Sequence, residues 1–142
     1  MPMTYQEEHL LMSLAGRAAI GDLTARLNRA QDAGDANAWL SGFLPEAELL
    51  APGRNPARGH SSLLGYFRSL PPGRVHVSAD SIVEVAGVRA RQACQYLVLA
   101  AASSGSGLAV EALLRQHDEL IYERGEWYVS RRELVPIETG GG

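Results

Sequence analysis

Apolar residues recur three and four positions apart over the first half of the chain and then run in long β-type stretches, so the sequence divides into a helical part and a β part. Thr4 followed by Glu7 fits a capping box, in which each side chain satisfies a free backbone N–H at a helix start. From there a helical stripe of Leu10, Leu14, Ile20, Leu23, Leu27 and Ala30 leads toward Ala33, with a break around Gly16. That pattern predicts one buried face, carried by a short leading helix and a main one from about Ala18. Asp32-Ala-Gly-Asp35 reads as a helix stop followed by an N-cap, and Asp35 opens a short helix bearing Trp39, Leu40 and Phe43. Next come a short strand over Glu46 to Ala51, a loop through PGRNPARG, and a third helix from His60 to Leu70 that Pro71-Pro72-Gly73 ends.

Four β runs follow: Val75 to Val85, Val88 to Ala101, Leu108 to Tyr122 and Trp127 to Val135. The breaks between them, Ala86-Gly87, the SSGSG from Ser103 to Gly107 and Arg124-Gly125, each hold the glycine that a hairpin turn favours, which predicts a meander. Helices first and an antiparallel sheet afterward indicate an α+β fold with three N-terminal helices on one face of the sheet. Strands this long must twist and curl, so the covered sheet is expected to form a cone around a pocket. Residues 1–137 read as a single domain and 138–142 as a flexible tail.

Composition narrows the function classes. A chain of 142 residues that is 46% hydrophobic suits one globular domain. Its 13 basic residues are all Arg and are scattered, which argues against a nucleic-acid surface. Without Lys there is neither Schiff-base catalysis nor a phosphate-loop amine. Cys94 has no partner for an internal disulfide, the N-terminus lacks the basic region of a signal peptide, and no apolar run approaches the roughly 20 residues of a membrane helix, so a cytoplasmic protein is expected. The four His are dispersed and paired Cys are absent, so no metal site is expected, nor any cofactor.

Four patterns together resemble the SnoaL-like branch of the nuclear transport factor two-like superfamily. They are AIGDLTARLNRAQDAGDANAW (Ala19 to Trp39), Gly59 before the third helix, His76-x-x-x-Asp80 leading to Gly87, and GEWYVSRREL (Gly125 to Leu134). Scytalone-type dehydratases, polyketide cyclases, ketosteroid isomerases, dioxygenase β subunits and non-enzymatic binding proteins share that fold, so the resemblance implies architecture more firmly than activity. In its dehydratase-like members a helix-end Asp and a first-strand His work together inside the cone, and Asp32 and His76 match those positions. The chain departs from that pattern where the dehydratases carry Tyr directly before the Asp: it has Gln31 there, and Leu27 stands at another frequent Tyr position. Val75 stands where Arg commonly precedes the strand His.

An imidazole accepts a proton near neutral pH, and a carboxylate partner fixes its tautomer and stabilises its cation, which makes His76 the candidate base and Asp32 its partner. Arg132, matching the family's last-strand Arg, is the candidate clamp for a developing oxyanion. Trp39, Phe43, Tyr66, Phe67 and Tyr96 are candidate pocket wall, with the core as the ordinary alternative. His117 is the remaining candidate, although alternation sends it and Asp118 to opposite faces. The expected protein is a cofactor-independent lyase or isomerase, dehydratase- or cyclase-like, acting on a small apolar cyclic substrate and forming a homodimer. A non-catalytic β-subunit-like or ligand-binding module of the same fold is the alternative.

Overall fold

The computed structural model describes residues 1–137; the expected flexible tail, 138–142, lies outside them. Its elements are α1 (Tyr5–Ala33), α2 (Ala36–Leu40), β1 (Phe43–Leu50), β2 (Ala57–Arg58), α3 (Gly59–Ser69), β3 (Val75–Ala86), β4 (Arg89–Ala101), β5 (Leu108–Glu123) and β6 (Glu126–Pro136). They form the expected α+β fold, three helices against one curved sheet in the order β2-β1-β6-β5-β4-β3. The β3–β6 meander is antiparallel. β1, however, lies parallel to β6, so the sheet is mixed and open rather than antiparallel throughout.

The first helix is one piece. Thr4 and Glu7 exchange the two capping-box bonds at 3.1 Å each, and Gly34, at φ 70°, closes the other end in the left-handed conformation that glycine adopts without cost. Gly16 does not break the helix: a Cβ there would stand 3.2 Å from Val85 Cγ2, so its lack of a side chain lets α1 press onto β3. The burial expected for Leu10 and Leu14 is corrected. Every residue from Tyr5 to Ala15 except Ser13 is exposed, because packing on the sheet begins only at Gly16. Phe43 also moves from the short helix to the first position of β1, since α2 stops at Leu40 and Gly42 passes under Leu23 and Leu27.

Two bulges decide which side chains face the helices. In β3, His76 and Ser78 point inward, and plain alternation would continue with Asp80. Asp80 instead adopts φ 52° where the β3–β4 register shifts, so that Ser81, Val83 and Val85 take the inward face. Asp is among the few non-glycine residues that reach this left-handed region readily, which accounts physically for Asp80 at the bulge. In β6, Trp127 and Val129 are buried, and Ser130 has no partner where Glu119 pairs with Arg131 and Leu120 with Val129. The extra residue turns Arg132 inward and Arg131 outward.

Ile20, Leu23, Leu27, Trp39, Phe43, Leu63, Leu120 and Val129 form the apolar core between helices and sheet. Beside it lies buried Cys94, whose thiol is pushed up to about 11, first by burial and then by the Asp118 carboxylate, against Arg132 and Ser78. A thiol that ionises at lower pH when unfolded favours unfolding as pH rises, so this contribution to stability is lost as pH climbs from the ordinary thiol range toward 11.

Iodoacetamide at about pH 8.5 should alkylate native Cys94 at least ~100-fold more slowly than the urea-unfolded chain, and equal rates would contradict the buried thiol. A Cβ at Gly42 would lie 2.5 Å from Leu27 Cδ2, so Gly42→Ala should cost ~1–3 kcal/mol in urea denaturation. Gly21→Ala meets nothing within 4 Å in mid-helix and should instead stabilise by up to ~1 kcal/mol.

Candidate functional site

α1 runs antiparallel to β3, with Gly16 against Val85, Asn28 against Ser78 and Asp32 against His76. The rungs match because four residues of helix advance about 6 Å and two residues of strand about 6.6 Å. Asn28 Nδ2 donates to Ser78 Oγ at 2.9 Å, and one helical turn later His76 donates to Asp32. Asp32 Oδ1 accepts from both the backbone N of His76 at 2.9 Å and its ring Nδ1 at 2.7 Å. The imidazole is thus held at two points.

A carboxylate only accepts, so Nδ1 carries a proton, and in the neutral ring Nε2 is the nitrogen left with a lone pair. Nε2 lies 3.2 Å from Gln31 Nε2, and the Gln31 carbonyl in turn accepts from Tyr96 Oη at 3.2 Å. The rings of His76 and Tyr96 stack with centroids 5.7 Å apart. Burial, above all, pushes the Tyr96 phenol well above its ordinary range, so it stays a donor at any physiological pH. The side chain of His76 is 8% exposed and that of Asp32 27%, which places the ring under cover and the carboxylate at the rim.

The pair borders a cleft of about 470 Å³ lined by Gln31, Phe67, Arg68, Leu70, Pro71 and Arg74, among others. Arg74 is bound to Glu111 at 2.8 Å. The cleft wall thus sets apolar Phe67, Leu70 and Pro71 beside the Arg68 guanidinium, while the charge of Arg74 is met by Glu111.

Behind Asp32 and His76 lies a buried polar layer. Asp118 accepts from Arg132 Nε at 2.8 Å and Nη2 at 3.0 Å, from Gln116 Nε2 at 2.7 Å and from Gln92 Nε2 at 3.2 Å. Burial pulls the Arg132 guanidinium down, but the adjoining Asp118 carboxylate outweighs it, so Arg132 is raised and stays charged. Ser78 Oγ donates to Gln116 Oε1 at 2.9 Å, which ties this layer to the strand that carries His76.

Of the residues singled out by sequence, Asp32, His76 and Phe67 border the cleft, and Tyr96 stacks on His76 from the buried side. Trp39 packs on Phe43 at 4.6 Å, on Phe67 at 5.1 Å and on Tyr66 at 6.2 Å, an interior aromatic cluster of which only Phe67 borders the cleft. Burial also raises the Tyr66 phenol, with the Arg54 and Arg132 charges opposing. Arg132 faces inward as expected, but two of its nitrogens are spent on Asp118. His117 is corrected: it is exposed on the outer face of the sheet, because its inward neighbours Gln116 and Asp118 take the alternate positions of β5. Gln31 was not among the expected site residues. The signal was present in the spacing Asn28, Gln31, Asp32, which is i, i+3, i+4 on one helix face. Among the described residues no cluster of three or more His, Cys, Asp or Glu is disposed to hold a metal ion, and no helix is long and apolar enough to cross a membrane.

No curated protein sequence matches the chain. Solved structures do. An NTF2-like protein with a cystatin-like fold from Novosphingobium aromaticivorans superposes with a TM-score of 0.85 at 21% identity, covering 98% of this chain and 92% of that one. A protein of unknown function from Mycobacterium tuberculosis gives 0.81 at 22% identity, covering 99% and 80%. A candidate scytalone dehydratase from Novosphingobium aromaticivorans gives 0.74 at 16% identity, covering 88% and 86%. At these identities the likeness is one of fold. Matched from residue 12 to residue 133 by the model of the SnoaL-like domain, the chain belongs to the SnoaL-like domain family.

Proposed function

We propose that this chain is a cofactor-independent lyase or isomerase that moves a proton on a small apolar cyclic molecule, with His76 as general base and Asp32 as the carboxylate that orients it. The observation that carries this reading is the 2.7 Å bond from His76 Nδ1 to Asp32 beside an open cleft. Asp32 fixes the tautomer, so the ring presents a basic Nε2, and it stabilises the cation formed when Nε2 takes a proton. His76 removes a proton from carbon next to a carbonyl, and the C–H pair becomes the double bond of an enolate. The imidazolium then returns the proton either to a departing β-hydroxyl, giving water and an alkene, or to another carbon, giving an isomer. Arg132 acts at one remove, since its guanidinium holds Asp118 rather than reaching for an oxyanion. The likeness to a candidate scytalone dehydratase supports a dehydration, as a likeness of fold.

A second reading, a module that binds the same kind of molecule without chemistry, is favoured by one contact: the amide of Gln31 rests on the Nε2 that the reaction needs. Turnover separates the two.

Self-association belongs to the same proposal. On the outer face of the sheet, Val77 pairs with Leu97 and Leu97 with Leu113, a row of apolar side chains beside exposed Ile82 and Val135. Such a stripe suits a second copy of the chain laid face to face.

Asp32→Asn and His76→Ala should each lower turnover by about 10²- to 10⁴-fold while leaving the melting profile that of a folded protein. Near-normal rates in both would remove His76 from the role of base. Light scattering should give twice the 15.3 kDa chain mass at micromolar concentration, and Leu113→Asp should halve it. A wild-type monomer would rule the face-to-face dimer out.

A further inference from the structure

On the outer face of the sheet, one side chain from each strand stands in a row across the molecule: Arg58 on β2, Glu48 on β1, Arg131 on β6, Glu119 on β5, Arg91 on β4 and Glu84 on β3. Each is the registered partner of the next, from Arg58 with Glu48 through to Arg91 with Glu84. Registered partners project to one face, and every member of the row is exposed or half-buried. The charges therefore alternate without a break from one edge of the sheet to the other. Opposite charges on neighbouring strands help a sheet keep its register, but within the row the one ion pair among the described residues is Arg131 with Glu48 at 3.6 Å. Arg58, Glu84, Arg91 and Glu119 form none within the chain. An alternating row with an even number of members reverses every sign when read backwards. A second copy turned round on this face thus offers Glu to each Arg and Arg to each Glu.

We propose that the outer face of the sheet is an isologous docking surface for a second copy of this chain, placed by a two-fold axis that runs along the strands between β5 and β6. This rests on the face-to-face association proposed above and adds its axis and its contacts. The axis sets Arg131 against the partner's Glu119, Glu48 against the partner's Arg91 and Arg58 against the partner's Glu84, each contact occurring twice. The neighbouring rows obey the same operation: Glu133 faces the partner's His117, Leu50 the partner's Ala93 and Tyr128 the partner's Ile121. Sheets packed face to face keep their strands within about 30° and lie about 10 Å apart, a gap that Arg and Glu side chains bridge. Hollows of about 390 Å³ on each side of Glu84, Arg91 and Glu119 give the partner's side chains room. The stripe of Val77, Leu97 and Leu113 lies about 20 Å along the strands from Glu119, and an interface of roughly 800 Å² a side reaches both. The row carries no net charge, so it does not attract a polyanion or a charged membrane; what it matches is its own order of signs reversed. A slip by one strand would set Arg on Arg and Glu on Glu, so the row fixes register as well as partner.

The experiment uses two charge reversals in the whole chain, Arg131→Glu and Glu119→Arg, with mass read by light scattering and dissociation constants by analytical ultracentrifugation. Either reversal alone places two like-charged contacts at the centre of the pair, and each should weaken self-association by at least ~100-fold. Mixed in equal amounts, one variant brings Glu at both central positions and the other Arg, so a mixed dimer should form with a dissociation constant within about 10-fold of wild type. The like-charged neighbours that each reversal creates inside its own chain are present in monomer and mixed dimer alike, and cancel. Glu48→Arg mixed with Arg91→Glu repeats the cross one position outward should either first variant fail to fold. If a reversed variant self-associates as tightly as wild type, or if both are monomers that do not pair when mixed, the axis is overturned while Leu113→Asp still reports on the face-to-face contact. A wild-type chain that is monomeric at micromolar concentration overturns both.

Discussion

A carboxylate buried among three strands has to find all its donors inside the protein, and Asp118 finds four. Removing one partner of such a pair leaves a charge without compensation, typically at ~3–5 kcal/mol, so the positions of Gln92, Gln116 and Arg132 are not independent choices. Through Gln116 the requirement reaches Ser78, and through Ser78 it reaches Asn28 on the helix. Once that rung is set, the next is set too, since a helical turn and two strand residues have nearly equal length. Asp32 meets His76 because Asp118 is satisfied two strands away.

Much of this was legible in the sequence. The order of helices and strands, the capping box at Thr4 and Glu7, and the glycine-bearing turns follow from local physics, and the structure reproduces them. The adjacency of Asp32 and His76 came from the family resemblance, since nothing local links positions so distant in sequence. What stayed hidden depends on tertiary contacts. Strict alternation from Trp127 and Val129 would turn Arg131 inward, and only the bulge at Ser130 makes it Arg132. Leu10 and Leu14 fit an apolar stripe but have no surface opposite them, because periodicity marks a face without saying what covers it. Gln31 looked like a loss, a missing phenol, until Tyr96 appeared across the fold with its hydroxyl on the same amide.

The division of labour inside the cone explains how one architecture serves different chemistries. An inner polar layer, hydrogen-bonded around Asp118, holds strands in register. An apolar aromatic cluster around Trp39 fixes the short helix and the start of β1. The cleft lies at the seam between them, bordered by α1, α3 and the start of β3, with Phe67 shared between the cleft wall and the aromatic cluster.

Asp32 stands in the last turn of α1, a turn with no basic side chain. The carbonyl end of a helix is its negative pole, so a carboxylate there is unfavourable for the helix itself. The helix pole and the carboxylate both place negative potential beside His76, whose backbone N–H and ring N–H are the donors that meet Asp32. The long helix is therefore more than a cover for the sheet. Its C-terminal turn gives the rim of the cleft its negative character, beside a ring held at two points.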